Sequence, residues 1–207
     1  MIKLPAKGIT TKGIDVSHYD ESIDFAALKA AGFVFVSCKC TEGVSVVDAR
    51  YKTNKAKAKA AGLLFGAYHF FRPGLDPMKQ AQHFLAHADI KPGDMIPMFD
   101  WEVTQGPGDV FKAKIFLGAI EAAIGKKMII YGPPYMLEDF RLPKEFKDYP
   151  LWIADYGSPQ GPRVPAPWTF WSFWQYTDKG SAPGIPAPDE DMDLFNGPAS
   201  NALKFVV

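Results

Sequence analysis

The chain has no surplus charge of either sign, only two cysteines and four histidines, and no long apolar run. Lysine plus arginine and aspartate plus glutamate each number 23, so no net positive field holds the chain on nucleic acid or an acidic membrane. Nowhere do about 18 apolar residues follow one another, as a membrane-spanning helix requires. The opening MIKLPAKGITTKGIDVS is basic but lacks the apolar stretch of a secretory signal. The expectation is a chain made in the cytoplasm without a Sec signal, with neither nucleic acid nor membrane as partner. Cys38 and Cys40 lie two apart in FVFVSCKC, which in an extended strand separates their Cα atoms by roughly 6.6–7 Å, at or past the disulfide limit. They read as free structural thiols, without the C-x-x-C spacing of a redox pair. His18 and His69 lie near acids but at no zinc-site spacing, and there is no H-E-x-x-H helix, so no metal or other cofactor is expected.

What is present is enough for one well-packed domain: 207 residues, 47% hydrophobic and 14% aromatic. Strand-length apolar runs alternate with amphipathic stretches, the signature of an α/β protein with a parallel sheet. GIDVS, FVFVSCKC, LLFGAYHF, MIPMFDWE and KMIIYG read as the first five strands. Between them, Asp24 caps a short helix carrying Phe25, Leu28 and Ala31, and residues 48–61 form an Ala/Lys-rich surface helix. Asp76 and Pro77 start a third helix with Ala81, Phe84, Leu85 and Ala88 inward. A fourth spans 109–124, with Phe111, Ile115, Ala119, Ala122 and Ala123 as its expected buried face and Gly125 as its stop. After that, LWIADY, FWSFWQYT and DMDLF are joined by links holding Pro159, Pro162, Pro165 and Pro167, then Pro183, Pro186 and Pro188, a density that excludes regular helix. Eight strands with helices in only five units predict a closed barrel trimmed from the eightfold pattern. The expected organisation is an N-terminal extension over 1–11, a barrel over 12–198 and a tail over 199–207.

In such a barrel the chemistry sits at the C-terminal ends of the strands. MFDWEV places Asp100 and Glu102 at one such end, two apart and so on the same face, with Trp101 pointing back among the helices. Asp15, Glu42 and Asp193 fall at comparable places, predicting an acidic cleft. Crowded, partly buried carboxyls cannot all ionise, so one can stay protonated while its neighbour remains an anion, the division of labour that glycosidic cleavage requires. Tyr68, Tyr131, Trp152, Tyr156 and Trp174, at or near strand ends, are candidates for stacking on sugar rings.

Taken in order, GIDVSHYD, CKCTEG, AGLLFGAYHFF, MFDWE, MIIYG, PLWIADY, WSFWQYT and MDLFNG resemble the glycoside hydrolase family 25 lysozymes over about residues 12–198. The resemblance implies a modified TIM-like (β/α)5β3 barrel that hydrolyses the β-1,4 bond between N-acetylmuramic acid and N-acetylglucosamine in peptidoglycan. It implies Glu102 as general acid, Asp100 as an anion orienting the substrate's N-acetyl group, and Asp15, Glu42 and Asp193 around them. Tyr68, Tyr131, Trp152, Tyr156 and Gln175 make up the expected substrate-binding set. The implied partner is the peptidoglycan glycan strand and the expected state a monomer, reaching the wall after lysis or by a non-Sec route. The alternative is a barrel that binds glycan without cleaving it. Phe99, Trp101, Cys38 and Cys40 depart from the family's usual smaller or aliphatic residues, changes that bear on packing.

Overall fold

The computed structural model describes residues 8–20, 22–186 and 189–207. Pro188 and most of the expected N-terminal extension lie outside the described residues. Eight strands close into a barrel: β1 (Thr11–Val16), β2 (Phe35–Glu42), β4 (Leu64–Phe70), β5 (Met98–Asp100), β6 (Ile129–Gly132), β7 (Leu151–Ala154), β8 (Phe173–Gly180) and β9 (Glu190–Phe195). The pairing of β1 with both β2 and β9 shuts the ring. A two-residue strand, β3 (Val46–Val47), folds back antiparallel on the end of β2. Helices α1 (Phe25–Ala30), α2 (Tyr51–Ala60), α3 (Pro77–Ala88), α4 (Asp109–Ile124) and α5 (Pro134–Asp139) follow five of the barrel strands, and the last three have none before the short α6 (Ala199–Ala202). This is the trimmed barrel that the proline-rich links predict.

Local chemistry sets the helix starts. Asp24 accepts hydrogen bonds from the Ala26 and Ala27 amides, and Asp76 from those of Met78 and Lys79 with Pro77 as the first helical residue. Two expectations are corrected. The buried stripe of α4 is Ala113, Phe116, Leu117 and Ile120, while Phe111 stands 70% exposed. The helix is apolar on several sides, so periodicity alone did not single out one stripe. The sheet is also not wholly parallel: β9 runs antiparallel to β1 and β8, which brings its N-terminal end to the mouth.

Strand alternation divides the interior in two. Outward residues pack against the helices, among them Cys38, Cys40, Phe99 and Trp101. The Trp101 ring stacks on Phe140 at 4.3 Å and meets Phe71 and Phe99 edge-on, so the departures from the family pattern build the strand–helix layer. Inward residues fill the barrel. Trp152 stacks on Phe173 at 4.7 Å, and Phe35 meets both rings edge-on. Gly13 leaves room for that packing, since a Cβ there would lie 2.2 Å from the Phe35 ring. Phe205 closes the bottom against Phe173 and Phe195. A packed floor leaves only the upper end open to chemistry.

Candidate active site

Met98 points into the barrel, and two residues later so does Asp100, 3% exposed. The strand ends there, and Glu102 emerges into solvent at the mouth. The Asp100 backbone is fixed by its carbonyl accepting from the Phe71 amide, while the Trp101 amide donates to Tyr131. Asp100 Oδ1 is buried with no hydrogen-bond partner. Burial first, and the neighbouring charge of Glu102 second, push the Asp100 carboxyl well above the carboxylate range. A buried carboxylate with one oxygen left without a partner is costly, which favours the neutral acid. Asp100 is the deeper of the two groups, and its shift is toward the protonated form.

Asp15 and Asp193 form the floor beside this pair. Both are fully enclosed and pushed well up, Asp15 by burial and then Asp193, and Asp193 by burial and then Asp191. Gln175 orders them: its Nε2 donates to Asp15 at 2.7 Å, while its Oε1 accepts from the hydroxyls of Tyr131 at 2.8 Å and Tyr156 at 2.5 Å. Two hydroxyl donors on one oxygen fix which way the amide faces. Trp152 Nε1 donates to Asp193 Oδ1 at 2.8 Å from below. Tyr68, buried, lies in the field of Asp15 and Asp100.

The structure thus brings Asp15, Asp100, Glu102, Asp193, Tyr68, Tyr131, Tyr156 and Gln175 into one cleft. Glu42 stands apart from the acid floor. Burial raises its pKa but is outweighed by Lys39 at 2.7 Å and Arg72, whose Nε lies at 2.8 Å, so the net shift is downward. It is a paired anion at the rim. Trp152 and Trp174 are fully buried and offer no ring face to a sugar: the first supports Asp193 and the second donates to the Asp155 carbonyl from the outer layer.

Sequence reasoning missed Asp191 and Glu190, raised to about 9 and about 8, chiefly by burial and then by neighbouring acids. They sit at the mouth because β9 is antiparallel; the i, i+2 spacing of Asp191 and Asp193 was the available signal. Also missed were Lys39 and Arg72, whose cations lie 4.9 and 4.4 Å from the Phe70 ring centre.

The histidines are engaged elsewhere. His18 Nδ1 lies 2.7 Å from Asp48, and His69, between Thr41 and Gln80, is held neutral by burial down to about 3. His83 and His87, an H-x-x-x-H pair on α3, contact the backbone oxygens of Val46 and His83. Among the described residues no group of three or more His, Cys, Asp or Glu is arranged to hold a metal ion. No helix there is long and apolar enough to cross a membrane.

Open space lies on both sides of β5. A cavity of about 610 Å³ runs over β6 and β7, lined by Glu102, Tyr131, Tyr135, Tyr156 and Arg163. A smaller one of about 380 Å³ lies over β2 and β4, between Glu42, Arg72, Leu75 and Gln105.

The family described as Glycosyl hydrolases family 25 matches residues 14–185. The chain is 33% identical to the uncharacterized protein YegX of Escherichia coli K12 over 213 residues, 99% of this chain and 76% of that one. It is 35% identical to an autolytic lysozyme of Clostridium acetobutylicum over 188 residues, 89% of this chain and 56% of that protein. The crystal structure of a bacterial lysozyme from Streptomyces coelicolor superposes with a TM-score of 0.86 at 28% identity, covering 97% of each chain.

Proposed function

The chain belongs to glycosyl hydrolase family 25, and from that premise we propose how its cleft performs the reaction of a peptidoglycan muramidase. The bond cleaved is the β-1,4 link from N-acetylmuramic acid to N-acetylglucosamine. One observation carries the assignment of roles: an enclosed Asp100 whose Oδ1 has no hydrogen-bond partner, beside a solvent-facing Glu102 at one strand end.

Glu102 is the acid that reaches the glycosidic oxygen. Asp100 lies deeper, where it meets the acetamido group of the sugar. An amide N–H donating to Asp100 supplies the partner it lacks, favours its anion and releases its proton to Glu102. Glu102 then protonates the leaving oxygen as the C1–O bond breaks, and the acetamido carbonyl oxygen attacks C1 from the opposite face. The cyclic cation is stabilised by the Asp100 anion. Water, deprotonated by the Glu102 carboxylate, opens it with net retention, the substrate-assisted exception to the two-carboxylate scheme. Asp15, Asp193 and Gln175 hold the floor in register; Tyr68, Tyr131 and Tyr156 border the sugar. The enzyme acts as a monomer on glycan strands in the cell wall.

Glu102→Gln keeps shape and removes the transferable proton. Dye release from labelled walls falls at least about 10²–10⁴-fold, while pelleting of the protein on the same walls persists. Undiminished dye release by the variant would overturn Glu102 as the acid. Pelleting without release by the parent would establish the non-cleaving barrel instead.

A further inference from the structure

Glu102 and Tyr135 line a second cavity besides the one over β6 and β7. It is a pocket of about 660 Å³ that leaves the cleft sideways, between the β5–α4 loop and α5. Strand order places the Glu42–Arg72 cavity on one side of β5 and the Tyr131–Tyr156 cavity on the other. A linear chain laid across these two passes over Glu102, and the side pocket branches off at that point. Tyr135, 62% exposed, stands as the partition between main cleft and branch.

The pocket's inner wall is apolar, built from Val110, Met136 and Phe140, and its rim carries Asp139 and Arg141. Arg141 is held in a left-handed backbone conformation, φ 47°, which side chains other than Gly, Asn and Asp seldom adopt. Among the described residues no carboxylate lies within ion-pair distance of its guanidinium. A basic and an acidic group thus stand at the mouth of an apolar recess that opens beside the reacting bond.

Resting on the muramidase reading, we propose that this side pocket binds the peptide stem of the muramic acid next to the scissile bond. A glycan strand is a linear polymer branched at every muramic residue, and the cavity system is a linear cleft branched at the catalytic acid. The stem begins with a small apolar residue and continues with an acidic and commonly a diamino residue. That order matches the apolar wall followed by Arg141 for a carboxylate and Asp139 for an amine. Substrate choice therefore extends beyond the sugars: the enzyme prefers strands that still carry stems.

Purified wall glycan is compared intact and after removal of its stems by an amidase, with release of new reducing ends as the readout. The parent protein has a higher kcat/KM on the intact strands. Arg141→Asn, which keeps a residue tolerant of the left-handed backbone, shrinks the intact-to-stripped ratio by about 3–10-fold through KM, and Arg141→Lys restores part of it. Equal kcat/KM of the parent on both substrates, or an unchanged ratio in Arg141→Asn, would overturn the stem pocket while leaving the muramidase intact. Absence of new reducing ends from either substrate with the parent would instead remove the reading on which the proposal rests.

Discussion

Asp100 and Glu102 illustrate how two identical functional groups acquire different chemistry from depth first and from each other's charge second. Enclosure, with Oδ1 left unpartnered, pushes the first toward its protonated form, and exposure lets the second meet a substrate oxygen. Asp100→Asn keeps the volume but cannot become the anion that steadies a cyclic cation, so kcat falls by about two orders of magnitude or more, with KM much less affected. On glycan whose muramic sugar lacks the N-acetyl group the parent falls as far, and the first product seen by NMR from intact glycan is the β-anomer. An early α-anomer, or full activity on the de-N-acetylated strand, would exclude substrate assistance. The placement of this pair was legible from its i, i+2 spacing at a strand end. That Asp100 is the one pushed toward its protonated form was not, because burial of that residue depends on the strands that close around it. Lys39 was equally hidden: in the sequence it is one more lysine, and only the fold buries it against Glu42 and Phe70.

At the scale of elements, caps were more legible than faces. Asp24, Asp76 and Gly125 mark helix ends through local bonds and backbone angles that neighbouring residues decide. The inward side of α4 was not local information, since Phe111 and Phe116 are equally apolar and only the barrel chooses between them. The choice has a measurable consequence. Phe116→Ala removes a ring packed on His69, Phe71 and Phe99 and costs about 3–5 kcal/mol of stability. Phe111→Ala changes stability by less than about 0.5 kcal/mol. Urea titration of the two variants ranks them; comparable losses would contradict the observed face. The direction of β9 was likewise not written locally. A strand reads alike in both directions, and pairing with β1 decides that Asp191 rather than Phe195 reaches the mouth.

The whole molecule carries an excess of acids at one end of the barrel that its zero formal charge conceals. Asp15, Asp100 and Asp193 retain protons well above the usual range, Glu190 up to about 8 and Asp191 up to about 9. Unfolded carboxyls release theirs near about pH 4, so above that the folded state binds more protons. The stability they contribute is full in acid and is lost as pH rises through the folded values. His69 acts oppositely, adding stability between about 3 and 6.5 and nothing further above. Between pH 6.5 and 8 Tm falls, Glu190 and Asp191 each contributing a slope of up to about 1.4 kcal/mol per pH unit while the proton is retained. Asp191→Asn flattens that slope, and a Tm constant or rising over this interval would contradict it. The trimmed barrel itself was legible at this scale, because strand count and proline density are properties of the whole chain.

The seam where β1 meets β9 has one more consequence. Asp15 lies 160 positions from the amide of Gln175 that orients it, and Asp193 lies farther still. Contacts of such sequence separation form late and slowly, since the intervening chain must surrender its freedom before they give anything back. The acid floor is therefore incomplete in either half of the polypeptide. Hydrolytic competence arrives in one event, when the first strand and the last find each other, and a refolding experiment that follows wall cleavage watches the ring close.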